Sequence, residues 1–232
     1  MLKLVTYPAA FGAPSASPFG VKTMCLLNMS GAIWEAVPGD PAEAPKGKLP
    51  ILIDDGKTIP DSEDIRTHLE KKFNKDFDAG LTAEQRAVSR AVIRMMDEHL
   101  YFAILNQNWN TDANWESLVA ELFGMVPEPA RQAVAESTRE NVLGDLRAQG
   151  FGRHASTEQF ARANQDITAV QVLLGESRFL FGNTPTAVDA SAGPIMAAIA
   201  ASPTQTTLSR RVSEDLHLMA YLKRVREALY PA

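Results

Sequence analysis

The sequence predicts two unlike parts, an α/β region over residues 1–74 and an all-α region over residues 82–232. Three observations carry that division. The first eighty residues mix short apolar runs with helical stretches; the turn Asp54-Asp55-Gly56-Lys57 joins two such runs as a hairpin; beyond Gly80 the apolar residues keep a helical period with no strand pattern of any length. At 232 residues the chain is long enough for two modest domains, and 45% hydrophobic residues supply the apolar surface for their cores.

The elements follow in order. Leu2, Leu4 and the stretch from Val5 to Tyr7 read as a short buried strand, stopped by Pro8 and a loop rich in Ala, Gly, Ser and Pro. Val21, Met24, Cys25 and Met29 recur at helical spacing, and Ser17 as N-cap with Pro18 at the first helical position marks where that helix starts. Ile33 to Val37 predicts a second strand and residues 38 to 45 a proline-rich connector. Ile51 to Ile53 and Thr58 to Ile59 form the hairpin strands, after which Asp61 and Ser62 open a helix through Ile65 and Leu69 to about Lys72. The stretch FNKDFDAG is expected to be a linker. Thr82 with Gln85 then forms a capping box, and Val88, Val92, Met95, His99 and Ala103 mark one helix face. Later helices are signalled by Phe160, Ile167, Val170 and Leu174, by Thr186 with Asp189, and by Leu218, Leu222, Val225 and Leu229. Asp189 is expected to satisfy backbone N–H groups at its helix start, a structural task.

Composition narrows the function. A net charge of −5 with no basic block argues against nucleic acid or an anionic membrane surface as the main partner. The single cysteine, Cys25, allows neither an internal disulfide nor a cysteine-based zinc cluster, and the four histidines show no metal-ligand spacing. No apolar run approaches the ~18 residues of a membrane span, so a cytoplasmic protein with a small ligand is the expectation.

Two stretches carry chemistry. In KLPILIDDGKTIPDSEDIRTHLE, Pro50 is expected to break strand pairing, as a cis-proline, so that the Leu49 backbone faces outward and an extended peptide can add to it. Asp61 and Ser62 would then offer N–H groups and a positive helix end to a carboxylate. In Ser17-Pro18-Phe19-Gly20 a hydroxyl sits at a helix start, able to donate to a bound sulfur while the helix dipole favours its anion.

The element order resembles a thioredoxin fold. The first stretch resembles the signature of the glutathione transferase superfamily, in which Lys-hydrophobic-Pro precedes a hairpin and an acidic-Ser pair opens the next helix. The second lies where thioredoxins and glutaredoxins carry Cys-Pro-x-Cys, with Gly20 removing the resolving cysteine, and resembles serine-type glutathione transferases. The resemblance implies a thioredoxin-like, glutathione-binding domain over 1–74 and an all-α C-terminal bundle over 82–232. It implies glutathione as co-substrate, Ser17 as catalytic residue, and Lys48, Leu49, Pro50, Asp61 and Ser62 as its binding residues; Lys46 and Lys48 either meet the glycine carboxylate or are solvated connector lysines, and Pro50 and Ser62 serve either the ligand or the fold alone. A small hydrophobic electrophile would be the other partner, and a homodimer an assembly to expect.

More narrowly, SASPFGVKTMCLLNMSGAIWE and GRHASTEQFARANQDITAVQVLLGESRFLFGNTPTAVDA resemble the metaxin and failed-axon-connections branch, with Gly20 where that branch tends to show cysteine. Two readings therefore stand: a transferase that joins the glutathione thiolate to an electrophile, and a non-catalytic binding or scaffold protein on the same fold. Ser17 is likewise either a cap alone or a thiolate partner. Tyr7 resembles the catalytic tyrosine position of some transferase classes, but a strand-end tyrosine also packs. Cys25, on an apolar helix face, is expected to be buried and inert. Met95, Met96, Phe102 and Trp109 are candidates either for an acceptor pocket or for core.

Overall fold

Four short apolar runs pair into one mixed sheet in the computed structural model, which describes residues 1–230. The strands are β1 (Leu2–Thr6), β2 (Trp34–Pro38), β3 (Ile51–Asp54) and β4 (Lys57–Pro60), in the order β2-β1-β3-β4. β1 runs parallel to β2 and antiparallel to β3. A parallel pair needs a crossover, and the helix α1 (Pro18–Ser30) supplies it. β3 and β4 close as a hairpin, with Asp55 at φ 48° and Gly56 at φ 80°, the two positive values that a tight twisted hairpin demands. The helix α2 (Ser62–Phe73) follows.

The expected second strand begins one residue late. The paired register of β1 with β2 starts at Leu2↔Trp34; the Ile33 carbonyl accepts the Leu2 N–H at 3.1 Å, but its side chain is 80% exposed. Tyr7 likewise falls past the end of β1, where Pro8 has no N–H to extend the ladder.

From residue 83 onward every regular element among the described residues is helical. α3 (Ala83–Met95) continues through a π turn at Met96–Leu100 into α4 (Tyr101–Trp109). There follow α5 (Asp112–Phe123), α6 (Ala130–Gln149), α7 (Ser156–Leu174), α8 (Ala187–Ala200), α9 (Thr207–Ser213) and α10 (Leu216–Leu229). No described helix is long and apolar enough to cross a membrane. The Thr82 capping box forms in both directions, the Thr82 N–H donating to Gln85 Oε1 at 2.9 Å and the Gln85 N–H to Thr82 Oγ1 at 3.2 Å.

α1 is apolar on most sides because it is covered on most sides, with α2 against it and α8 and α10 across from them. One apolar core consequently runs from Leu2 and Leu4 through Met24 and Leu27 to Ile195, Leu218 and Val225. The stretch expected as a linker is docked. Phe77 is buried and its carbonyl accepts the Ala187 N–H, while Asp78 pairs with Arg66 at 2.7 Å and Asp76 with Arg86 at 2.6 Å. Asp189 is fully buried and accepts the N–H groups of Leu180 (3.0 Å) and Thr186 (2.8 Å), as its spacing predicts. It also accepts the Tyr221 hydroxyl at 2.9 Å, a partner that sequence spacing does not announce.

Candidate functional site

The sheet register collects the candidate residues at one end. Val5 pairs with Ile51, and Ile51 with Pro60, so the end of β1, the start of β3 and the end of β4 lie side by side. Immediately beyond that edge come the loop into Ser17, the pair Leu49-Pro50, and the pair Asp61-Ser62. The Lys22 ammonium donates to Glu63 Oε1 at 2.7 Å, which ties the beginning of α1 to the first turn of α2. The structure thus brings Ser17, Leu49, Pro50, Asp61 and Ser62 to one edge.

Ser17 occupies the N-cap position of α1, with extended backbone (φ −98°, ψ 125°), and its carbonyl accepts the Val21 N–H at 3.1 Å. Its hydroxyl makes no capping bond, which corrects the cap expectation. Beside it, Ser15 Oγ accepts the Ser17 N–H at 3.2 Å and bonds Thr6 Oγ1 at 3.0 Å. That anchor holds the backbone from the loop side, with Pro18 following. Ser17 is 9% exposed and its hydroxyl has no intramolecular hydrogen-bond partner among the described residues. A side chain at Gly20 would put Cβ 2.3 Å from Thr6 Oγ1 and 2.5 Å from Ser15 Oγ, so this arrangement leaves no room for the cysteine of a dithiol motif.

Leu49 and Pro50 join through a cis peptide bond and lie outside the ladder, which begins at Ile51. Neither the N–H nor the C=O of Leu49 makes a backbone hydrogen bond among the described residues, although the residue is buried. Asp61 adopts φ 75° and ψ 131°, a conformation that a non-glycine residue holds only when its surroundings impose it. Its Oδ1 accepts the Glu63 N–H at 2.9 Å and caps α2. That leaves the buried Ser62 with a hydroxyl and an N–H that have no partner among the described residues. Leu49 and Ser62 thus present unspent polar groups, with the positive end of α2 behind the second.

The two lysines separate. Lys46 pairs with Asp64 in α2 across 3.1 Å in an exposed contact, whereas Lys48 is exposed and in no ion pair among the described residues. Tyr7 is half-buried, and burial followed by the Asp40 carboxylate pushes its hydroxyl above the ordinary tyrosine range, which disfavours its anion. Cys25 is fully buried, and burial pushes its thiol up, as expected for an inert core residue.

Met95, Met96, Phe102 and Trp109 do not form one wall. Met96 is wholly buried in the core, Phe102 meets Tyr101 edge to face, and Trp109 packs on Trp115 and Phe123. The π turn between α3 and α4 is the reason, since its wider turn shifts the phase on which a single helical stripe depends. The ring that meets the start of α1 is Tyr101, 4.7 Å from Phe19 between centroids. A cavity of about 460 Å³ lies instead between loop residues 9–14, Glu121 of α5, Arg226 of α10 and Tyr230. The Phe11 N–H donates to Glu121 Oε1 at 2.8 Å, closing α5 onto the loop that leads to Ser17. None of these residues carried a signal in the sequence.

Residues 18–114 match the family description "Glutathione S-transferase N-terminal domain", and residues 163–225 match "Glutathione S-transferase, C-terminal domain". The solved structure of the beta-etherase LigF from Sphingobium sp. strain SYK-6 superposes with a TM-score of 0.63, covering 97% of this chain and 94% of that one at 20% identity, a likeness of fold. Failed axon connections of Drosophila melanogaster is 30% identical over 195 residues, covering 79% of this chain and 46% of its own length. The isoprene-epoxide glutathione S-transferase of Rhodococcus sp. (strain AD45) is 32% identical over 236 residues, covering 98% of each chain. An identity of that size, spread over the full length of both proteins and joined to both domain matches, makes this chain a member of the glutathione S-transferase superfamily, with relatives in the failed-axon-connections branch.

Proposed function

We propose that the chain binds glutathione along Leu49 and Pro50 and joins its thiolate to a small hydrophobic electrophile. The observation that supports this most is the set of polar groups without intramolecular partners, on buried residues at one sheet edge: the Ser17 hydroxyl, the Leu49 backbone, and the Ser62 hydroxyl and N–H. Neither hydroxyl is sealed from solvent, so the unspent groups along this edge are open to a ligand that completes them. In this reading the Leu49 N–H and C=O pair with the extended peptide, Ser62 and the start of α2 take the γ-glutamyl carboxylate, and Lys48 stands free for the glycine carboxylate. Residues 1–74 form the glutathione-binding domain and residues 82–232 complete the electrophile's side.

The Ser17 hydroxyl donates to the sulfur and the start of α1 favours the anion. A free thiol near ~8.5 is mostly protonated at neutral pH, and each unit of lowering is about 1.4 kcal/mol of thiolate stabilisation. The sulfur lone pair then forms a C–S bond as the electrophile's breaking bond departs with its electron pair. For an epoxide that pair stays on the ring oxygen, which takes up the proton the thiol released. The name of the Rhodococcus relative makes a small epoxide the first electrophile to try. The cavity of about 460 Å³ beside loop residues 9–14 is the proposed place for it, with Arg226 facing the developing oxyanion.

The failed-axon-connections relative favours one alternative, a binding or scaffold protein on the same fold without turnover. A calorimetric titration with glutathione, followed by a rate measurement with a small epoxide, separates the two. Saturable binding with glutathione-dependent consumption of the epoxide supports the transferase; either no binding, or binding without that consumption, overturns the transferase and leaves the scaffold. A reducing, cytoplasmic setting suits either.

A further inference from the structure

Lys22 is the side chain whose placement the reaction proposed above leaves unexplained. It is 2% exposed, yet carries an ammonium. Its Nζ lies 2.7 Å from Glu63 Oε1 and 2.7 Å from Asp97 Oδ2. Glu63 follows Ser62 in the first turn of α2, and its other oxygen is held by Arg90 of α3 at 2.9 Å. Asp97 lies in the π turn between α3 and α4, and its Oδ1 is buried without a partner among the described residues. Burial pushes the Asp97 carboxyl above the ordinary range even against the pull of Lys22.

A triad of this kind is a poor device for stability alone. Burying an ammonium and two carboxylates costs desolvation that well-packed apolar residues would not incur, and one carboxylate oxygen here is never repaid by a bond. What the triad does is geometric. Lys22 lies one turn after Pro18, so it moves with the start of α1 that carries Ser17. Glu63 is bonded to Ser62 through the chain. A single ammonium therefore fixes the separation between the start of α1 and the start of α2, and locks both to the helical region through Asp97.

We propose that Lys22 is a positioning residue for the glutathione site: through Glu63 and Asp97 it sets the distance between Ser17, at the sulfur end of the tripeptide, and Ser62, at its γ-glutamyl end. The proposal rests on the glutathione reading. A ligand gripped at both ends loses affinity when either grip shifts, while the Ser17 hydroxyl itself is untouched, so the loss falls on binding more than on turnover.

The test compares wild type with Lys22→Met, Lys22→Arg and the double variant Lys22→Met with Asp97→Leu, measuring glutathione Kd by calorimetry, KM and kcat with an epoxide, and melting temperature. The double variant removes the ammonium together with Asp97, the buried carboxylate it would leave stranded, while Glu63 keeps Arg90, so it is expected to melt near wild type while the glutathione Kd and KM rise about tenfold and kcat at saturation changes by less than about threefold. Lys22→Arg keeps the cation and is expected to recover most of the affinity. A double variant that recovers stability and affinity together, or variants whose melting falls with Kd unchanged, would overturn the proposal and leave the triad a structural feature. Absence of glutathione binding by the wild type overturns the glutathione reading, and this proposal with it; normal wild-type binding with unaltered variants overturns this proposal alone.

Discussion

Ser15 Oγ accepts the backbone N–H of Ser17 at 3.2 Å, while the Ser17 hydroxyl itself makes no capping bond. Ser15 is 2% exposed and also bonds Thr6 Oγ1 at 3.0 Å, so it joins the end of β1 to the start of α1. Ser15→Ala strands the Thr6 hydroxyl and the Ser17 N–H in a buried place, at a cost of about 1–3 kcal/mol. Denaturant unfolding measures the loss. A change below about 0.5 kcal/mol would show that the Ser15 contacts do not hold this segment.

Gly20 is the counterpart of that anchor. With Thr6 Oγ1 and Ser15 Oγ 2.3 Å and 2.5 Å from where its Cβ would stand, Gly20→Ala is expected to destabilise by about 1–3 kcal/mol through overpacking. In the background Thr6→Ala, Ser15→Ala the same substitution is expected to cost much less, because both colliding oxygens are gone. A thermodynamic cycle over the variants reads the coupling, and additivity would contradict the steric account.

How much of this the sequence shows depends on range. Ser17-Pro18, the Asp55-Gly56 turn, Asp61-Ser62 and the Thr82–Gln85 box act within a few residues, and each announces its element. The direction of the Ser17 hydroxyl is not legible, because the N-cap pattern says where a helix starts and not which way the hydroxyl turns. Lys22 is hidden for a similar reason: a lysine beside Val21 reads as solvated, and its partners lie 41 and 75 positions away. α6 is nearly silent because its 20 residues bury little beyond Ala135 and Leu146, which leaves no apolar stripe to read. The acceptor face over residues 95 to 109 misleads because its stripe assumes one helical phase, and the π turn breaks it.

Asp54 links the end of β3 to α2, accepting from Lys72 at 2.5 Å and 2.6 Å and bonding His68 Nε2 at 2.7 Å. Burial pushes its carboxyl up, but the bonds from Lys72 and His68 outweigh that and hold it below the ordinary range. A carboxyl with a folded value below its unfolded value of ~3.9 contributes stability above that pH and loses it as pH falls through the folded value. Melting temperature is therefore expected to drop on acidification below about pH 4, and Asp54→Asn to lower it at neutral pH while flattening the drop. Parallel pH profiles for the two proteins would contradict this assignment.

Arg226 tests the place proposed for the electrophile. It lines the cavity beside loop residues 9–14 and takes part in no ion pair among the described residues. Arg226→Gln is expected to lower kcat/KM for an epoxide by about tenfold or more, the loss of one charge-stabilising donor, with glutathione Kd unchanged. An unchanged kcat/KM would move the electrophile elsewhere.

The role of Ser17 is where the account is most exposed, and the measurement that reaches it directly is transferase rate against pH for wild type and Ser17→Ala, with glutathione and a small electrophile. Since the Ser17 hydroxyl makes no capping bond, the alanine variant is expected to keep its melting temperature within a few degrees, well short of the loss of a ~1 kcal/mol cap. Its rate at neutral pH is expected to fall, and to recover as pH rises toward the free thiol value near ~8.5, because the lost hydrogen bond raises the pKa of the bound thiol. Superimposable pH profiles, with or without a lower melting point, would contradict the claim that Ser17 stabilises the glutathione thiolate.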